Sequence, residues 1–141
     1  MINLPLNIDF TGKVVVITGA GGGICSTMAR AFAQAGAKVA ALNLSGDKVV
    51  KLADELKAEG FICEGYAVNV MDKAALEETR QKVLSDLGPC DILINGTPMH
   101  RFVENEELLG ATFFLCDERS ASAITGVVLP VDAGFAAYSG V

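Results

Sequence analysis

The run KVVVITG, Lys13 to Gly19, is continuous, apolar and β-branched, and glycines follow it at once. A strand of that kind suits a sheet covered on both faces rather than one wetted on one side. The next segment, CSTMARAFAQAG, sets Met28, Ala29, Phe32, Ala33 and Ala35 at helical spacing before Gly36 stops it. A strand, a tight turn and a helix in that order predict a following strand parallel to the first.

The alternation continues. AKVAALNL reads as a second strand and SGDKVVKLADELKAEG as a second helix closed by Gly60; FICEGYAVNV, MDKAALEETRQKVLSDLG and CDILING are a third strand, a third helix and a fourth strand. The predicted fold class is α/β, a Rossmann-type doubly wound parallel sheet with helices on both faces. Beyond Gly96, ENEELLGATFFLCDE predicts a helix with Leu108, Leu109, Phe113 and Leu115 toward a core, and AITGVVLPVDAG a closing strand. The 141 residues suit one domain, residues 1–141, long enough to bury roughly two thirds of its unfolded surface.

Composition narrows the partners. Seventeen acidic against eleven basic residues give a net charge of −6, and Lys and Arg are not clustered, which argues against nucleic acid or an anionic membrane. MINLPLNIDFTGK has no basic segment followed by an apolar run, and no apolar run approaches a membrane span, so a cytoplasmic protein with a small-molecule partner is expected. Cys25, Cys63, Cys90 and Cys116 are scattered, without a C-x-x-C pair and with His100 as the sole histidine. Buried thiols are expected rather than a metal site or disulfides.

The loop TGAGGGIC, Thr18 to Cys25, lies between the first strand and the first helix. A helix start presents unpaired N–H groups and the positive end of its macrodipole, and glycines let backbone approach a pyrophosphate there. Gly19, Gly21, Gly22, Gly23 and Ile24 are therefore candidate dinucleotide contacts. At the end of the second strand, where an acid usually binds the adenosine ribose and repels a 2′-phosphate, stands Asn43. Asn43 can bond a ribose hydroxyl but cannot repel phosphate. No base stands beside it at Leu44, Ser45 or Gly22, and the reading leans to NAD over NADP.

These residues resemble the short-chain dehydrogenase/reductase family. Thr18, Gly19 and Gly23 match its T-G-x-x-x-G-x-G fingerprint, with Cys25 in place of the last glycine. Asn69, with Val70 beside it, corresponds to the family's adenine-facing aspartate after the third strand. Asn95 matches the first asparagine of N-N-A-G, which in the family stabilises the central sheet, while Gly96, Thr97 and Pro98 depart from the rest. Arg101, Glu107, Leu115, Thr125, Gly126, Val131, Asp132 and Gly134 fall on the pattern of the family's last helix and strand. The wording LNIDFTGKVVVITGAGG, GPCDILING and TGVVLPVDAGFAAYSGV is similar to the D-mannonate oxidoreductase, or fructuronate reductase, branch. The resemblance implies a nicotinamide dinucleotide, a small sugar-acid substrate and a homotetramer.

It also implies catalytic residues that are missing. The family moves a proton with a tyrosine, lowers its pKa with a lysine four residues later and orients the carbonyl with a serine. That spacing puts Tyr and Lys on one helix face. Here Tyr66 is followed four residues on by Val70, and Tyr138 stands three residues from the end. No Tyr-x-x-x-Lys exists, so no catalytic residue is assigned. The two family-like blocks meet near 96–98, where a seam is expected. Either a longer oxidoreductase lacks its central segment here, or the chain is a non-catalytic nucleotide-binding module.

Overall fold

The structure is a computed structural model that describes residues 2, 4, 8–95, 105–129 and 131. The chain divides into two compact units: Met1–Asn3 with Asp9–Pro98, and Leu4–Ile8 with Met99–Val141. The seam expected near 96–98 lies outside the described residues.

The first unit alternates as predicted: β1 (Val14–Thr18), α1 (Gly23–Gln34), β2 (Lys38–Asn43), α2 (Gly46–Ala58), β3 (Cys63–Ala67), α3 (Lys73–Asp86) and β4 (Ile92–Asn95). The strands form one parallel sheet in the order β3-β2-β1-β4. This is a Rossmann-like arrangement, in which the order reverses between β1 and β4 and ligands sit beyond the carboxyl ends of the strands.

Alternate residues of each strand face opposite sides. Val15, Ile17, Val39, Ala41 and Cys63 are fully buried on one side. There Gly65, paired with Ala41, brings β3 directly against α2: a Cβ on Gly65 would lie 2.5 Å from the Val49 carbonyl oxygen. On the other side Val14, Val16, Ala40 and Leu42 pack against Val83 and Leu87 at the end of α3 and just beyond it. Right-handed crossovers place α1 and α2 together and α3 opposite. The residues read as the buried stripe of α1, Met28, Ala29, Phe32, Ala33 and Ala35, are all buried, and the Phe32 ring meets Phe10 at 4.9 Å between centroids.

The second unit contains α4 (Glu107–Cys116) and the single turn α5 (Glu118–Ala121). Leu109 and Phe113 are fully buried, but Leu115, expected toward the core, is 40 % exposed. The predicted closing strand does not form over its described residues, 123–129 and 131, which carry no strand, with Val127, Val128 and Leu129 exposed. An apolar β-branched run becomes a strand only when a neighbour completes its hydrogen bonds, and no described strand pairs with this one.

Candidate functional site

The site begins where β1 stops. Gly19 has φ +69°, a left-handed conformation that a side chain would oppose, and its carbonyl accepts from the Gly22 N–H at 2.9 Å, folding the loop back on itself. The Ala20 N–H donates to the Leu42 carbonyl at 3.0 Å, tying the loop to the end of β2.

Helix α1 then starts bare. Its N-cap, Gly22, has no side chain to cap the first amides, and the first turn holds no acid. At α3 the contrast is direct: the Asp72 carboxylate accepts from the Ala74 and Ala75 N–H groups. The first amides of any helix lack intrahelical acceptors, so the α1 start leaves donors and a positive dipole end for an anion, while α3 has already neutralised its own.

Gly21 and Asn43 are brought together. A Cβ on Gly21 would lie 2.7 Å from Asn43 Nδ2 and 3.0 Å from Lys48 Cβ, so only glycine fits beside that amide. Asn43 Nδ2 donates to the Ser45 carbonyl at 3.2 Å, which turns the amide oxygen into the acceptor free to meet a ribose hydroxyl. The glycine cradle, the bare helix start and this acceptor fit the pyrophosphate and ribose of a dinucleotide.

The other predicted residues are distributed along the same sheet edge. Asn69 Oδ1 accepts from the Met71 N–H at 3.0 Å and its carbonyl from the Asp72 N–H at 3.0 Å, shaping the turn into α3. Asn95 Oδ1 accepts from the Thr18 hydroxyl at 3.4 Å, joining the ends of β4 and β1. Gly96 lies outside the described residues, as do His100 and Arg101. Val70 and Asn95 line the end of a cavity of about 920 Å³ that runs between α3 and β4 over Val16, Leu42 and Leu93. Thr18, at the start of the glycine loop, also lines it, whereas Gly21, Gly22, Gly23 and Ile24 are not among its described lining residues.

Lys48 is the neighbour that sequence reading missed. It is five residues beyond Asn43, and only the seating of the first turn of α2 brings it to the loop; the signal available was a base within one turn of that helix start.

Tyr66 is held unlike a proton-transfer tyrosine. Its hydroxyl donates to Asp86 Oδ2 at 2.9 Å, and burial first, then that carboxylate, push the phenol above its ordinary range. Cys25 stays a thiol as well, since burial raises its pKa despite the helix start. Cys63 is buried too, but Cys90 is exposed, contrary to the expectation of four buried thiols; it lines the cavity beside β4. Among the described residues no group of three His, Cys, Asp or Glu could hold a metal, and no helix is long and apolar enough to cross a membrane.

The sequence profile of the short chain dehydrogenases matches residues 13–136, and the chain belongs to that family. An uncharacterized oxidoreductase of Bacillus subtilis, UxuB, is 37% identical over 125 residues, 82% of this chain and 44% of that protein. The 2,3-dihydro-2,3-dihydroxybenzoate dehydrogenase of Bacillus subtilis is 40% identical over 84 residues, 60% of this chain and 32% of that protein. The chain thus spans less than half the length of these curated relatives. Among solved structures, a Haemophilus influenza protein assigned as a D-mannonate oxidoreductase, with bound NAD, shares the fold at a TM-score of 0.83 and 22% identity, over 96% of this chain and 99% of that one. An NAD+-bound xylitol dehydrogenase aligns at a TM-score of 0.60 and 29% identity, over 65% of this chain and 35% of that one.

Proposed function

We propose that residues 1–141 form one dinucleotide-binding domain, with a seam near 96–98, belonging to an NAD(P)-dependent oxidoreductase. Gly19, Gly21, Gly22, Gly23 and Ile24 hold the pyrophosphate with backbone N–H groups; Asn43 takes the ribose, and Asn69 with Val70 borders the adenine. Asn95 and Gly96 complete the candidate cofactor contacts. The observation that carries this reading is the packing of Gly21 against Asn43 beside the uncapped start of α1. When bound, the dinucleotide supplies the hydride acceptor or donor; this chain's residues bind and orient it.

A sugar acid of the D-mannonate or fructuronate kind is the proposed substrate of the longer protein. Support comes from the wording of the three segments quoted above and, at the level of fold alone, from the Haemophilus structure. The protein is read as cytoplasmic and as a homo-oligomer, a tetramer by family resemblance.

A second reading, a nucleotide-binding module without catalysis, is favoured by one feature: the residue four positions beyond Tyr66 is Val70, not a lysine. Calorimetric titration of the 141-residue chain with NAD and NADP tests the binding claim, and absence of heat with both sinks it. Nicotinamide absorbance with D-mannonate tests the rest. No turnover is expected from this chain, and measured hydride transfer would overturn the assignment of no catalytic residue.

A further inference from the structure

The trough between α3 and β4 is apolar along its length but charged at one end. Leu76, Val83 and Leu84 of α3 stand along it beside Leu93 of β4, and Leu93 and Leu84 are 59 % and 44 % exposed. Its charged lining residues are Lys73, Glu77 and Arg80. The Glu77 carboxylate accepts from Arg80 at 2.7 Å and from Gln81 at 3.0 Å, so that pair is neutral. Lys73, exposed at the first position of α3, has no ion pair or side-chain hydrogen bond among the described residues. Two bases against one acid leave the trough with one net positive charge, on a chain whose total is −6. Lys73 follows Val70 by three residues and so belongs to the end that Val70 and Asn95 line, whereas Pro89 and Cys90 line the other end. At the rise of a strand, the chain from Cys90 to Asn95 covers about 17 Å.

We infer that this trough binds one free medium-chain fatty acid, with its carboxylate on the Lys73 ammonium and its acyl chain lying over Val83 and Leu93 toward Cys90. The lining selects that class of ligand. A sugar would set hydroxyls against Leu84 and Leu93 without hydrogen-bond partners. A cationic amphiphile would be repelled by Lys73, and a neutral one would leave the ammonium without a partner. A carboxylate gains a charge-assisted bond there, while the acyl chain takes exposed leucine surface out of water. The cavity of about 920 Å³ lies within the range of small-molecule sites, and its length of about 17 Å suits a chain of about twelve carbons. This site goes beyond the dinucleotide reading, since Gly21, Gly22, Gly23 and Ile24 are not among its described lining residues.

Calorimetric titrations of the full 141-residue chain with dodecanoate and with dodecanol, each below the concentration at which it aggregates, provide the test. Dodecanoate should bind at one site, about tenfold more tightly than dodecanol at low ionic strength, and the ratio should shrink as salt rises. Lys73→Ala should bring the ratio to about one while leaving dodecanol affinity within about twofold. Leu93→Asn should weaken both ligands by about tenfold, because it puts an amide under the acyl chain. Lys73 and Leu93 are exposed, so both variants should unfold at nearly the same denaturant concentration as the parent, which separates a lost contact from a lost fold. Bound dodecanoate should also slow alkylation of Cys90, which lines the far end of the trough. Equal affinity for acid and alcohol, an unchanged ratio in Lys73→Ala, or unchanged binding in Leu93→Asn overturns the inference. So does association with dodecanoate vesicles without binding of the monomeric acid. None of these results bears on NAD titration, so the dinucleotide reading is tested separately.

Discussion

The two faces of the four-stranded sheet are built from the same strands but are covered unequally. On the side of α1 and α2, Val15, Ile17, Val39, Ala41 and Cys63 reach 0 % exposure, and small residues let helix backbone seat directly on strand. On the side of α3, Val14 and Val16 are covered, but Leu93 of β4 remains 59 % exposed beside the cavity of about 920 Å³. A strand inside a doubly wound sheet needs a cover on each face and a neighbour on each edge. β1 has both sets, with all five residues buried; β4 pairs only with β1 among the described residues, and none of its four residues is buried. The closed face is where local sequence and packing agree. The open face is where they part, at β4.

The strongest way to break this comparison is to damage the closed face. Phe32→Ala removes a fully buried ring that packs against Phe10, and should cost about 3–5 kcal/mol in denaturant unfolding of the chain. A cost below about 1 kcal/mol, the size expected for a surface position, would show that this core is not closed in solution. Gly65→Ala comes next. Its new Cβ would lie 2.5 Å from the Val49 carbonyl oxygen and 2.7 Å from the Val49 carbonyl carbon, which are backbone atoms that cannot rotate away. Shifting α2 from β3 should cost about 2–3 kcal/mol, although the substitution is only one methyl on a position that looks unremarkable in FICEGYAVNV.

Acid–base behaviour probes the same face more gently. Burial, the largest cause, pushes the Cys63 thiol from 9.0 up to about 12. In the unfolded chain the thiol ionises near 9, while the folded one resists, so its stabilising contribution is complete below pH 9 and is lost as pH rises toward 12. Stability should fall by about 1.4 kcal/mol for each pH unit within that window on account of this one group. Cys63→Ala should flatten the slope measured between those limits; an unchanged slope would mean that water reaches the thiol in the folded protein. Glu77, held at about 2 by its hydrogen bonds to Arg80 first and then Gln81, acts in the opposite direction, since its contribution is lost as pH falls from the ordinary carboxylate range toward 2. It lies on an exposed helix face, so its share should be small.

Legibility in the sequence followed the same division. β1 and β2 were readable because their runs are apolar throughout, and the stripe of α1 was readable because Met28 to Ala35 keep one helical period. The closing strand was misread from an equally good local pattern: Val127, Val128 and Leu129 favour extended backbone, but pairing is a non-local property and the described sheet offers them no partner. Gly65 gave a readable hint, because a glycine inside a strand often marks close backbone approach, yet nothing local says which helix approaches. At the site, the spacing from the loop to Asn43 was legible, since a strand, a helix and a strand fix that distance in sequence. Lys48 was not, because its place depends on how α2 is rotated against β2 and β3.

The last prediction concerns the open face and is the smallest in energy. Leu93→Ser replaces a side chain already 59 % exposed, so the chain should lose no more than about 0.5 kcal/mol, against the several expected at Phe32. Cys90, on the rim of the same cavity, should react with an alkylating reagent before Cys25 or Cys63, because burial raises the pKa of all three, but of the three only Cys90 is exposed to reagent. The two measurements are read together. A free trough requires both a near-neutral Leu93→Ser and rapid labelling of Cys90. If the substitution instead costs as much as a core residue and Cys90 is protected at high protein concentration but labelled on dilution, the trough is covered by another copy, and the inequality of the two faces belongs to the isolated chain rather than to the assembled protein. Protection that survives dilution would instead place a cover within the chain itself, and the comparison between faces would fail.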